Sequence, residues 1–314
     1  MDVKTVLPPD AIPSVDDPTF GSDHFGAPED EVIAVEFGDQ PRAYPVRILH
    51  YHEIVNDRVE DRPIAVTWCP LCGSAVVYSR RIDGRTLTFG VSGKLADDDL
   101  VMYDRETESE WKQSLGRCIA GPLEGQSLEV LPAAMTTWAA FRTANPDGVV
   151  LQPPGGKSEA ASDDATPATV EYDVSPYEAY FETERIGLGA HRGTGGREWD
   201  RTDIEAKAVV LGIEAGDDAL GIPRAVVERN GGVVRVSVGP WAVVVFSTAD
   251  GLHAFDDPGF RFEPVSEGFR ADGTVWDGGT GIAEDGRRLD RIPAKRLFAF
   301  AWQDDHGPNA FYGL

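Results

Sequence analysis

I-A-V-E-F-G-D at 33–39 and L-G-I-E-A-G-D at 211–217 are the same stretch written twice. Each is followed by a proline seven residues after its glycine, Gly38 to Pro45 and Gly216 to Pro223. Further along, P-I-A-V at 63–66 matches P-W-A-V at 240–243, and L-E-V-L-P at 128–132 matches L-D-R-I-P at 289–293. Phe141 and Trp302 each stand nine residues after those prolines, and Trp111 and Trp276 occupy comparable places. Ordered matches that keep their local spacing predict an internal duplication. The expected fold is a β-rich α+β chain of two tandem, diverged repeats of one β-dominated unit with short helices.

The rest of the chain fits that frame. Residues 1–30, rich in Pro, Asp and Gly, read as an extended N-terminal arm, 31–150 as repeat A, 151–204 as a linker and aromatic segment, and 205–314 as a degenerate repeat B. Within repeat A, strands are predicted at Glu31–Phe37, Pro63–Trp68, Ala75–Ser79 and Arg85–Val91. A short helix is expected over Val46–His52. Another is expected over Ala133–Ala144, where Met135, Trp138 and Phe141 recur every three residues before N-P-D-G at 145–148. Residues 152–169 carry no large apolar side chain and read as an exposed linker. The aromatic cluster Tyr172, Tyr177, Tyr180 and Phe181 then predicts a packed lid or interface.

A duplication separates scaffold from site. Laying the two P-x-A-V stretches together puts Cys69 opposite Phe246 and Cys72 opposite Ala249, while His52 has no counterpart. The fold therefore does not require the thiols or the histidine. They sit in T-W-C-P-L-C-G-S at 67–74, predicted as a metal knuckle at the tip of a hairpin. A Trp-Cys-x-x-Cys is also a dithiol pattern, but that needs a helix after the second Cys to lower the thiol pKa. Here the β-favouring A-V-V-Y-S follows. With no second Cys-x-x-Cys, the further ligand is sought among His50, His52 and Cys118. His52 is the choice, oriented by Glu53, Asn56 and Asp57. A Cys69–Cys72–His52 set leaves one position open on a tetrahedral ion and suits one Zn, Cu or Fe ion. Glu53, Asp104, Arg105 and Glu106 are the candidate catalytic residues.

Composition limits the partners. The 314 residues include 53 Asp plus Glu against 29 Lys plus Arg, a net charge of −24. That excludes a phosphate-binding surface, so no nucleic acid and no anionic membrane partner is expected. Three Cys do not make a disulfide scaffold. There is no signal-like start and no membrane-length apolar run, so the expected address is cytoplasmic. No nucleotide loop is evident, since Ser92-Gly93-Lys94 is too short for one. The expected ligand is a metal ion or a small-molecule substrate. The functions in view are a metalloenzyme or redox protein, a non-catalytic binding module stapled by the knuckle, or a metal-handling protein.

A-Y-P-V-R-I-L-H-Y-H-E-I-V-N-D, C-P-L-C-G-S-A-V-V, F-G-V-S-G-K-L, L-V-M-Y-D-R-E-T-E-S-x-W and I-A-G-P-L-E-G together resemble the domain of unknown function 3179. The resemblance is close over about residues 16–150 and looser beyond. It implies that His52, Glu53, Asn56, Asp57, Cys69, Cys72, Ser92, Gly93, Tyr103, Asp104, Arg105, Glu106 and Trp111 are family positions. It also implies that a small residue is usual where Cys118 stands, so that Cys118 is not a ligand. No reaction comes with it. Scarce lysine beside abundant carboxylate resembles the proteins of halophilic archaea. Relief of carboxylate repulsion by salt then predicts a melting temperature that rises from low to molar salt. A series of thermal melts checks this, and a flat or falling trend rejects it.

Overall fold

The computed structural model describes residues 1–162 and 166–314. The chain is β-rich with few, short helices; among the described residues the longest, Ala299–His306, has eight. The apolar runs form strands because alternate side chains can then be buried against a second layer. The glycines after the paired acidic motifs turn the chain: Gly38 at φ +88° and Gly216 at +65°.

Apart from the short strands Arg81–Ile82, Arg85–Thr86 and Arg117–Ala120, which have no counterpart in the second stretch, residues 31–144 and 209–306 present a similar order of elements. The first begins with the hairpin Glu31–Val35 and Arg42–Pro45, then the helix Val46–His52. Three antiparallel strands follow, Ile54–Val59, Arg62–Cys69 and Ser74–Ser79. A meander comes next, Phe89–Ala96, Asp99–Asp104 and Glu110–Lys112. The strand Ala134–Thr137 returns to pair with the first strand, Met135 opposite Ile33, and leads into the helix Trp138–Ala144. The second set is Val209–Ala215 with Asp218–Pro223, the helix Arg224–Arg229, then Val233–Val238, Trp241–Ser247 and Leu252–Asp256. Its meander is Glu263–Val265, Gly268–Ala271 and Thr274–Trp276. Lys295–Phe298 closes back on the first strand, Leu297 opposite Val210, before the helix Ala299–His306.

The sets are interlocked. The strand Ser74–Ser79 sits beside Lys295–Phe298, Ala75 opposite Arg296, so one six-stranded sheet contains strands of both. On the other side Ala134–Thr137 lies against Leu252–Asp256, with Thr137 Oγ1 donating to Asp250 Oδ1 at 2.8 Å.

Several local expectations change. Residues 134–137 are strand, because Met135 and its neighbours complete the sheet of Glu31–Val35; the helix starts only at Trp138, capped by the Thr137 hydroxyl. The arm is extended but laced into the sheets: Val3–Thr5 pairs with Phe89–Ala96, Phe20–Gly21 with Val149–Leu151, and Ile12 and Val15 are buried. Of the expected linker 152–169, residues 163–165 lie outside the described residues. Lys157–Ser158 pairs with Ala168–Thr169, and Ser158 is fully buried. Among the described residues no helix is long and apolar enough to cross a membrane.

Trp302 shows how tightly the closing helix is seated. A Cβ on Gly212 would lie 2.3 Å from its ring and one on Gly221 2.4 Å from its Nε1, so both glycines are there for the indole to lie on backbone. The Trp302 Nε1–H donates to the Ala310 carbonyl at 2.7 Å. Trp302→Ala is expected to lose about 3–5 kcal/mol of stability through the cavity it leaves, measured by denaturant unfolding.

Candidate metal centre and adjoining cavity

Two turns build the centre. The first closes the hairpin of Arg62–Cys69 and Ser74–Ser79, with Cys69 paired to Ser74. Gly73, at φ +55°, makes the tight return, and its N–H donates to the Pro70 carbonyl at 3.3 Å. A side chain there would strike Arg296 and Phe298 at 2.7 Å. The Cys72 carbonyl accepts the Phe298 N–H at 2.8 Å, which anchors the turn to the closing strand of the second half.

The second turn is Asp97-Asp98, both residues at positive φ, joining Phe89–Ala96 to Asp99–Asp104 with Ala96 opposite Asp99. A two-residue hairpin of this kind fixes which way the next side chain points. Here it sends Asp99 inward. One Cys69 sulfur, one Cys72 sulfur and one Asp99 carboxylate oxygen lie within 4.8 Å of one another, all three residues buried. Among the described residues no other such cluster of three exists, and none lies near Phe246.

Asp99 Oδ2 accepts the Ser114 N–H at 2.8 Å, while Oδ1 is buried without a hydrogen-bond partner. Burial pushes the Asp99 carboxyl up, and the neighbouring Lys112 ammonium pulls it back down. Burial likewise pushes both thiols up. For Cys69, hydrogen bonds from Cys72 offset part of that rise. Lys112, 2 % exposed, is held by Asp305 at 2.7 Å and Asp97 at 3.3 Å.

Cys69 opens on a cavity of about 560 Å³, lined also by Glu53, Glu159, Tyr177, His191 and Lys94. Glu53 follows the last residue of the helix Val46–His52 at φ +56°. A non-glycine residue held there costs on the order of 1–3 kcal/mol unless its surroundings fix it. Two backbone bonds fix this one: its N–H donates to Leu49 at 2.8 Å, and its carbonyl accepts the Trp68 N–H at 2.8 Å, beside the knuckle. Burial, then Glu159 and Asp99, raise the Glu53 carboxyl to about 8. Glu159 pairs with Arg192 at 3.3 Å, and His191 stacks on Tyr177 at 4.6 Å. Burial lowers the His191 pKa, leaving a neutral ring.

The expected residues therefore part company. Cys69, Cys72 and Glu53 come together. His52 does not join them: its Nδ1 contacts the Pro13 carbonyl at 2.9 Å and its Nε2 the Tyr172 hydroxyl at 2.7 Å, so both nitrogens are committed to the arm and the aromatic segment. His50, two residues earlier on the helix, faces elsewhere, toward Trp68, Tyr177 and Phe181. Asn56 holds the Phe89 backbone and Asp57 accepts from Arg42 and Tyr44, so neither orients His52. Asp104 accepts from Thr107 and Trp111 Nε1, Arg105 pairs with Asp16, and Glu106 accepts the Thr88 N–H at 2.7 Å. None of these three lines the cavity. Cys118 Sγ donates to the Ala120 carbonyl at 3.3 Å, outside the cluster.

Asp99, Glu159, Tyr177 and His191 were not singled out as site residues from sequence. Asp99 was hidden in the acidic run Asp97-Asp98-Asp99, and Glu159 in a stretch that reads as linker. The available signal was the hairpin arithmetic: two turn-forming aspartates leave the third as the first inward residue.

The model of a family described as protein of unknown function (DUF3179) matches residues 9–309. No curated protein and no solved structure matches the chain.

Glu53 gives a signed pH effect. Its folded carboxyl titrates near 8 and an unfolded one near 4.5. Between those values the native state keeps a proton that the unfolded state has lost, so stability falls as pH rises through that window. In metal-free protein, Glu53→Gln should match wild type near pH 4 and gain a growing advantage in melting temperature up to pH 8. Parallel melts of the two proteins across pH 4–9 would expose an error as a constant gap.

Proposed function

Because the chain belongs to the DUF3179 family, whose description carries no reaction, we propose from the site itself that this is a metal-binding protein with the working features of a metalloenzyme. The observation that carries the reading is the convergence of the Cys69 and Cys72 sulfurs with an Asp99 oxygen inside 4.8 Å, beside a buried Asp99 Oδ1 that has no hydrogen-bond partner. Two soft thiolates and one carboxylate suit zinc, iron or copper. Three protein donors leave a coordination position open, as catalytic centres do and closed structural sites do not. A bound cation would supply Lewis acidity at the mouth of the cavity.

The chain's own residues support a substrate-sized use of that cavity. Its volume lies in the range of small-molecule sites. Glu53 offers a protonated carboxyl near neutral pH, and Glu159, Tyr177 and His191 offer further proton-handling groups on the same wall. The shared order of elements in the two halves supports the reading of tandem, diverged repeats, with the centre kept in the first copy alone. The high carboxylate content supports adaptation to salt.

A second reading rests on the closeness of the Cys69 and Cys72 sulfurs, within 4.8 Å: a dithiol pair that becomes a disulfide by exchange with an external disulfide, which takes up the two electrons and two protons and leaves as two thiols.

Metal analysis decides between them. Protein purified without added metal should carry one ion per chain. Cys69→Ser, Cys72→Ser and Asp99→Asn should each weaken binding roughly tenfold or more, whereas His52→Ala should keep its metal. Affinity should rise with pH, because the buried thiols must lose protons to coordinate. Near-zero metal in wild type, with the pair readily cycling between thiol and disulfide, would replace metal by dithiol chemistry.

A further inference from the structure

Successive residues of a strand face opposite sides of a sheet. Cys69 looks into the cavity described above, and Trp68 lines a different one of about 520 Å³. That second cavity is walled by Trp68, His50, Phe181 and Phe298, with Arg296 and Lys207 among them. We propose that it is a binding site for a small monocarboxylate with a flat apolar body. The proposal does not rest on the metal reading.

The cavity is lined by four carboxylates, Glu29, Asp30, Glu31 and Asp173, and by Arg47, which pairs with Asp30 at 2.8 Å, but Lys207 and Arg296 are not held in close ion pairs with any of them. Lys207 donates to the carbonyls of Tyr180 and Thr183, and among the described residues it forms no ion pair. Arg296 has one carboxylate within reach, that of the half-exposed Glu31 at 4.0 Å. Its guanidinium lies over the Trp68 ring at 5.6 Å and the Phe298 ring at 5.2 Å, and its Nη1 donates to the Gly73 carbonyl. Lys207 is met by carbonyls and, at 3.7 Å, by the Tyr180 ring, and Arg296 by a single carboxylate at 4.0 Å, so both cations keep the capacity to pair with an anion.

The hydrogen-bond inventory points the same way. Trp68 is 1 % exposed, and its Nε1–H has no acceptor. His50 is 8 % exposed, and both of its ring nitrogens lack a partner. Burial holds that ring neutral. A buried donor left unmatched costs about 1–3 kcal/mol, and the Trp68 Nε1–H and the one N–H of the neutral His50 ring are two such donors. A carboxylate supplies acceptors, and Arg296 is suited to receive it.

The walls set the rest of the ligand. Aromatic faces favour a flat apolar body. An organic cation is disfavoured, because Arg296 already lies over two of those faces. The carboxylates of Glu29, Asp30, Glu31 and Asp173 at the same cavity would repel a ligand of higher negative charge more strongly than a monocarboxylate.

Calorimetric titration of the full-length protein with benzoate, benzamide and benzylamine tests the proposal. Benzoate should bind, benzamide at least tenfold more weakly, and benzylamine not at all. Arg296→Gln and Lys207→Met should each weaken benzoate at least tenfold. Lys207 does not touch the knuckle, so Lys207→Met decides the matter if Arg296→Gln fails to fold. Cys69→Ser should bind benzoate like wild type, which separates this site from the metal centre. Benzylamine binding as tightly as benzoate, benzoate affinity unchanged in Lys207→Met, or no benzoate binding at millimolar concentration would each overturn it.

Discussion

The hydrogen bond from the Phe298 N–H to the Cys72 carbonyl, 2.8 Å long, ties the turn that carries both thiols to the strand that closes the second half of the chain. Much of the molecule's organisation passes through this join. Ser74–Ser79 and Lys295–Phe298 meet there in one sheet, with Ala75 opposite Arg296. Arg296 adds a bond to the Gly73 carbonyl, and Gly73 has no room for a side chain between Arg296 and Phe298. A loop of four residues between two strands would ordinarily be mobile. Clamped at the carbonyls of Cys72 and Gly73, this one holds two sulfurs in fixed positions. Pre-organisation of that sort lets a metal site form without ordering the chain at the moment of binding.

Burial governs the chemistry of what is held there. It raises both thiols and the Asp99 carboxyl, so in the absence of a cation the centre favours its protonated forms. Lys112 opposes this for Asp99 and is itself balanced by Asp305 and Asp97. The same low dielectric acts across the cavity wall on Glu53, where two further carboxylates push in the same direction as desolvation. A pocket that keeps an acid protonated beside a cation-ready cluster joins two opposed electrostatic demands. The strained backbone of Glu53, pinned between helix and knuckle strand, is what holds them at close quarters.

The two faces of the knuckle strand carry different environments from adjacent residues. Cys69 meets carboxyls and neutral proton-handling groups, while Trp68 lies under the Arg296 guanidinium beside unmatched donors. The alternation is a property of any strand. What differs is the covering: Glu159, Tyr177 and His191 lie over the first face, and Phe181 lies on the second. A region that reads as linker and aromatic lid thus supplies walls to both cavities.

The sequence by itself determined the β-rich character, the hairpin around Cys69 and Cys72, the short helix over Val46–His52 and the family. Each of these is written in local terms: alternation of apolar residues, a Gly-bounded Cys-x-x-Cys, a proline before a helical run, and contiguous motifs. Which residue meets the two thiols depends on tertiary structure. His52 is near the thiols along the chain and dense in ligand-like neighbours, yet the helix turns it toward Pro13 and Tyr172. Asp99 is twenty-seven residues beyond Cys72 and reads as one more surface carboxylate until the hairpin register turns it inward. Asp104, Arg105 and Glu106 looked reactive because they are clustered, but their hydrogen bonds close a turn and fasten the arm. Sequence proximity reports which residues are available, whereas convergence depends on sheet register and on which segments fold over the strand ends, and those are set by packing between parts of the chain far apart in sequence.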